Sequence, residues 1–60
     1  MWIFRKDDKA FNLTNANMLR WDGDTTGIMF GGSWWVISMN NVVGKIMEAL
    51  CRGDNYVEVE

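Results

Sequence analysis

A single helical pattern has to cover a sheet of five strands, and that mismatch governs what this chain can fold into. The pattern runs from Asn41 to Arg52, within a stretch from Gly31 to Gly53 that also carries a strand with adjacent tryptophans, Trp34 and Trp35. Val42, Val43, Ile46, Met47 and Leu50 recur at spacings of one, three and four, which places them on one face of a helix. On this reading Ile46 and Leu50 are buried. Asn40 or Asn41 caps the N-terminus by accepting a backbone N–H that has no partner within the helix. Gly53 stops the helix by turning left-handed. Glu48 and Arg52 stand four apart on the other face, in the order that favours pairing. Gly44 is the weak point, costing about 1 kcal/mol relative to alanine in a helix interior.

Upstream, alternation and turn residues predict strands over Met1 to Arg5, Ala10 to Thr14, Met18 to Trp21, Thr25 to Phe30 and Ser33 to Ile37. The charged run Lys6-Asp7-Asp8-Lys9 and the Asn15-Ala16-Asn17 segment read as turns. Asp22-Gly23 is the strongest hairpin signal, expected as a type I′ turn, and Gly31-Gly32 is a second. Tyr56 to Val59 reads as a final strand after the helix. The expected fold class is α+β in one domain, residues 1–60. It comprises a five-stranded antiparallel meander, open or curled into a small barrel, one C-terminal helix and a final short strand. That strand follows a crossover from strand five and is expected to run parallel to it.

Alternation groups Trp2, Phe4, Phe11, Leu13, Leu19, Trp21, Ile28, Phe30, Trp34 and Val36 on the face the helix would cover. Ile3, Met18, Met29, Trp35 and Ile37 fall on the second face, which is therefore also apolar. Trp34 and Trp35 must point to opposite faces. One short helix cannot cover both sides, so the sheet curls or its second face meets another copy.

Size presses the same way. A domain of 60 residues buries only about 60% of the surface its unfolded chain exposes. One cysteine excludes an internal disulfide, and the absence of histidine argues against structural zinc. Self-association is the remaining route to stability, and 48% hydrophobic residues supply the material. A net charge of −2 with interspersed signs gives no basic footprint for nucleic acid and no polybasic membrane anchor. The longest uninterrupted apolar run, Trp34 to Ile37, is far too short for a membrane span. The first charges follow a very short apolar run, the reverse of a signal peptide, so a complete cytoplasmic protein with reduced Cys51 is expected.

Candidate chemistry is sparse. Asp22, Asp24 and Thr25 have the look of a calcium loop, but the following Thr26-Gly27-Ile28 supplies no closing acid, and a hairpin explains them. Arg52-Gly53-Asp54 spells an adhesion tripeptide and Asn12-Leu13-Thr14 a glycosylation sequon, yet both need export. Gly27, Gly31 and Gly32 lack the Lys-Ser/Thr of a phosphate loop. There is no histidine base or nucleophile-elbow serine, and lone Cys51 reads as a small hydrophobe. No catalytic, cofactor-binding or metal-ligating residue is assigned, and an enzyme is not expected.

The opening Met1-Trp2-Ile3 strand, the Asp7-Asp8-Lys9 turn and the late Ala49-Leu50 helix resemble short bacterial and phage-associated proteins of unassigned activity. In those a small sheet precedes one helix, and the likeness implies no activity. The size and strand-then-helix order are also similar to the carbon storage regulator family of dimeric RNA-binding proteins. Phe4-Arg5-Lys6-Asp7 stands where that family has a Leu-Thr-Arg-Lys strand, and its basic Val-His-Arg-Glu-Glu segment is missing, so none of its RNA contacts carries over.

The functional expectation is a small non-catalytic homo-oligomeric interaction module, most simply a dimer, with room for another protein partner. Its interface is expected at Trp35, Ile37, Met29, Val57 and Val59, since tryptophan is enriched at binding hot spots and open strand edges invite pairing. The alternative is a sheet-surface binder of single-stranded nucleic acid that stacks bases on Trp35 or Trp21. The scattered lysines and arginines speak against it.

Overall fold

A computed structural model describes all 60 residues. The strands are β1 (Trp2–Arg5), β2 (Lys9–Asn12), β3 (Met18–Trp21), β4 (Thr26–Phe30) and β5 (Ser33–Ser38), followed by α1 (Val43–Arg52) and β6 (Tyr56–Val59). The α+β class and the element order are as expected. The single meander is not. The strands divide into two sheets of three, ordered β2-β1-β6 and β3-β4-β5, and neither closes into a barrel. Only β1 to β2 and β3 to β5 are antiparallel neighbours in sequence.

The final strand corrects the expectation most sharply. β6 runs parallel to β1 rather than β5, with Ile3 level with Val57 and Arg5 with Val59. β1 thus becomes a central strand, and the chain's first and last elements lie side by side. Matching phases explain the choice. Ile3 shares a face with Val57, while Trp2 and Phe4 share the other with Tyr56 and Glu58.

Local turn chemistry sets the hairpins. Gly31 and Gly32 both have positive φ, at 51° and 88°, and close a two-residue loop between Phe30 and Ser33, as type I′ geometry requires. At the other hairpin only Gly23 has positive φ, so the turn is not type I′. There the Asp22 carboxylate accepts hydrogen bonds from the backbone N–H of Asp24 and Thr25, at 2.8 and 2.7 Å. The β1–β2 loop places Asp8 in the left-handed region, φ 67°, a conformation aspartate tolerates.

One core serves both sheets and the helix: Ile3, Ile28, Ile37, Val42, Ile46, Ala49, Val57 and Val59. Phe11, Leu13, Leu19 and Phe30 pack at its margin. Ile37 stands on the core face two residues after Trp35, at a β-bulge. Gly27 pairs with Val36 and Thr26 with Ser38, leaving Ile37 as an extra residue that shifts the phase of β5. Two buried hydroxyls then fix the approach to the helix. Thr26 Oγ1 donates to the Asn40 carbonyl at 2.7 Å and accepts from the Val42 N–H at 3.0 Å. Ser38 Oγ donates to the Glu60 carbonyl at 2.6 Å, tying β5 to the end of the other sheet.

The helix begins at Val43, two residues after the expected start, and no side chain caps it at Val42. Asn41 Oδ1 does accept the Val43 N–H at 3.3 Å. At the other end Gly53 adopts φ 76° and the N–H groups of Gly53 and Asp54 reach the carbonyls of Leu50 and Ala49. The helix turns Val42, Ile46 and Ala49 inward. Ile46 is fully buried as expected, whereas Leu50 is 42% exposed.

Candidate functional site

The outer face of the β2-β1-β6 sheet carries the largest aromatic side chains of β1 and β6. Because Ile3, Val57 and Val59 occupy the core, alternation sends Trp2, Phe4 and Tyr56 outward, at 44%, 39% and 56% exposure. Trp2 and Tyr56 are register partners, and the Phe4 and Tyr56 rings lie 5.5 Å apart, tilted by 49°. Asn12 stands level with Trp2, and Ala10 and Glu58 with Phe4. Sequence reasoning placed Trp2 and Phe4 beneath the helix. The signal that corrects this was present in β6, where Tyr56 and Glu58 alternate with two valines: an acid marks the solvent face.

The outer face of the other sheet is also partly exposed, with Met18 at 48% and Val36 at 38%, although Trp34 is half-buried on it. Met18, Met29 and Trp34 form one cross-strand row, and Arg20, Gly27 and Val36 the next. The Trp34 indole lies against Gly27, and the Arg20 guanidinium sits over that ring at 5.2 Å from its centroid.

The residues expected at an interface do not come together. Ile37, Val57 and Val59 are buried in the core, so their side chains offer no surface to a partner. Met29 is half-buried beside Trp34, and Trp35, 53% exposed, lies in register with Ile28 on the opposite face from Met29. Trp21, considered for base stacking, is half-buried at the end of β3.

Ion pairs rim the molecule. Arg5 makes a two-pronged contact with Asp7, 2.7 Å for each bond, and donates to the Ile37 carbonyl at 3.1 Å, bridging the sheets. The Arg5 guanidinium holds the Asp7 carboxyl below its usual range, and Asp7 in turn raises Arg5. Lys6 pairs with Glu60 at 3.0 Å and lowers its carboxyl likewise. Asp22 is lowered by the two backbone N–H groups it accepts. Its carboxylate is thus occupied by its own turn. Arg52 pairs with Asp54 at 2.9 Å and Glu48 at 3.5 Å.

An open groove of about 630 Å³ follows β6 on the side away from β1, lined by Lys45, Arg52 and residues 53–58. No three His, Cys, Asp or Glu side chains come together as a metal cluster, and no helix is long and apolar enough to cross a membrane. No protein-family model matches the chain, and neither a curated protein nor a solved structure matches it.

Proposed function

We propose that this chain is a small non-catalytic interaction module whose first partner is a second copy of itself, acting through the β2-β1-β6 sheet. The observation that carries this reading is the exposed run of Trp2, Phe4 and Tyr56 on two neighbouring strands, which nothing else in the chain covers. Eleven of the 60 residues are buried, so the chain is short of core, and self-association stabilises such a domain by adding to it. Aromatic side chains at the middle of a sheet face are also the residue types that dominate binding hot spots. Light scattering after size exclusion, from micromolar to millimolar concentration, tests the reading. A mass of two chains supports it, and one chain throughout defeats it.

The sheet-surface nucleic-acid reading draws on the same three rings as stacking platforms. The charge around them favours protein. Arg5, Lys6 and Arg52 are already neutralised by Asp7, Glu60, Asp54 and Glu48, leaving few cations to follow a phosphate backbone. A salt-sensitive shift of tryptophan fluorescence on adding short single-stranded RNA would favour that alternative instead.

A further inference from the structure

We infer that two copies join through β6, antiparallel and in a two-fold register that sets Val57 opposite Val57, so that two β2-β1-β6 sheets become one continuous sheet. The inference rests on the homo-oligomer reading and adds a strand-edge contact to it, one that joins the Trp2, Phe4 and Tyr56 faces of the two copies side by side into one aromatic surface. Its starting point is which peptide groups β6 leaves unused. The Trp2 N–H donates to the Asn55 carbonyl at 3.0 Å, while Trp2 lies level with Tyr56. In a parallel ladder alternate residues turn to the same neighbour, so Asn55, Val57 and Val59 direct their peptide groups at β1. Tyr56 and Glu58 direct theirs the other way, into the open groove lined by Lys45 and Arg52.

The other three edges are guarded. β2 carries Lys9 and β3 carries Arg20. β5 is kinked by its bulge, and Arg5 occupies its Ile37 carbonyl. β6 has no lysine, arginine, proline or bulge, the devices that keep edge strands from pairing. Its only charge is Glu58.

A second copy fits this edge because antiparallel two-fold pairing asks each strand for the same groups it offers. Tyr56 of one chain exchanges both N–H···O bonds with Glu58 of the other, and the reverse pair does the same. Charge and strand length select the register. With Val57 on the axis, each Glu58 faces a tyrosine. One step along, Glu58 would face Glu58, and like charges directly opposite are destabilising. One step back, Val59 would face Gly53, the helix stop, so the pairing would run off the strand. In the selected register Glu60 of the second copy comes level with Asp54, where Arg52 already sits 2.9 Å from the carboxylate. The segment from Tyr56 to Glu60 carries acids only, while the helical wall of the groove presents Lys45 and Arg52.

The test is backbone amide exchange by NMR on the full chain, alongside light scattering. A dimer whose Tyr56 and Glu58 amides slow as concentration rises is the expected result. Glu58→Pro removes an outward N–H without touching the ladder to β1, and is expected to abolish the dimer. If that variant fails to fold, the exchange comparison on the unaltered chain decides. In dimers mixing labelled and unlabelled chains, an isotope-filtered contact between the Val57 α-protons of the two copies is expected; its absence overturns the register. A dimer with fast exchange at Tyr56 and Glu58 overturns this interface but leaves the homo-oligomer reading standing. A monomer at every concentration, its edge then free for an extended peptide of another protein, overturns both.

Discussion

Trp34 and Gly27 are fitted to one another: the indole lies against a backbone position where no β-carbon has room. A Cβ at Gly27 would stand 2.6 Å from the ring's Cε2 and 2.7 Å from the Trp35 carbonyl oxygen. An aromatic ring laid over a strand glycine shields its bare backbone, and Arg20 closes the stack from above. The neighbouring strand and the glycine are therefore one unit, although six residues, including a hairpin turn, separate Gly27 from Trp34 in the chain.

Gly27→Ala should accordingly destabilise the fold by roughly 1–3 kcal/mol, the usual cost of overpacking. Trimming the ring in Gly27→Ala/Trp34→Ala should not restore stability, because the Trp35 carbonyl belongs to the ladder and cannot withdraw. Gly44 is the contrast. A β-carbon there meets nothing within 4 Å, so Gly44→Ala should stabilise the helix by about 0.5–1 kcal/mol. Urea unfolding of the three variants checks both statements.

The helix yields a second prediction. Ile46 is fully buried, and Ile46→Ala should cost roughly 2–5 kcal/mol, enough to abolish cooperative unfolding in so small a domain. Leu50→Ala should cost about 1 kcal/mol or less in the monomer, since the side chain keeps much of its contact with water. Thermal melts at low protein concentration separate the two. Equal losses would mean that Leu50 is covered by something besides this chain's own core.

What the sequence made legible follows the range of the interactions involved. The Gly31-Gly32 hairpin, the Gly53 stop and the helix period are local, and residues within a few positions determine them. The partner of β6 is not local, since nothing near Tyr56 announces a strand at the other end of the chain. The phase of β1 was hidden because Trp2, Ile3 and Phe4 are all apolar, so alternation alone cannot say which side is inside. Packing decides it: the smaller, β-branched Ile3, Val57 and Val59 fit between sheet and helix, and the larger rings do not. In β5 the two-residue Gly31-Gly32 turn sets Met29 opposite Trp34 and Ile28 opposite Trp35, which puts Trp34 on the outer face and Ile37, two residues after Trp35, on the core side. On β6 the same ambiguity of phase decides which residues stand free: Val57 and Val59, expected at an interface, lie in the core with Ile37, while Tyr56 stands exposed beside Trp2 and Phe4 of β1.

A third prediction concerns acid. The Asp22, Asp7 and Glu60 carboxyls are all lowered in the folded chain, so each contributes stability above its unfolded value, near 3.8 for the aspartates and 4.5 for the glutamate. That contribution is lost as pH falls through the folded values, because the unfolded chain takes up protons first. Stability should therefore decline as pH drops below these unfolded values. Salt should weaken the part owed to Lys6–Glu60, an exposed ion pair, more than the part owed to Arg5–Asp7, where the Arg5 side chain is 19% exposed. The part owed to Asp22 should persist, since backbone N–H groups hold its charge. Asp22→Asn keeps an acceptor in place and should flatten that salt-insensitive component. A pH profile for the variant that matches the parent in high salt would show that Asp22 plays no such role.

Thr26 gives the last prediction, because one buried hydroxyl serves two backbone groups at the start of the helix. Its Oγ1 donates to the Asn40 carbonyl at 2.7 Å and accepts from the Val42 N–H at 3.0 Å, and the residue has no contact with solvent. Thr26→Val preserves the side chain's shape but removes the donor and the acceptor together. The Asn40 carbonyl and Val42 N–H then lose their partner where water has little access, at a cost of about 1–3 kcal/mol for each group left unsatisfied. Thr26→Ser loses only a methyl group, about 1 kcal/mol, and keeps both bonds. Serine should therefore be tolerated better than valine, although valine is the stronger strand former and the more apolar replacement. Urea unfolding ranks the two variants directly. If valine proves the more stable, the hydroxyl does not hold the β5–α1 loop against β4, and the helix is placed by the burial of Val42, Ile46 and Ala49 alone.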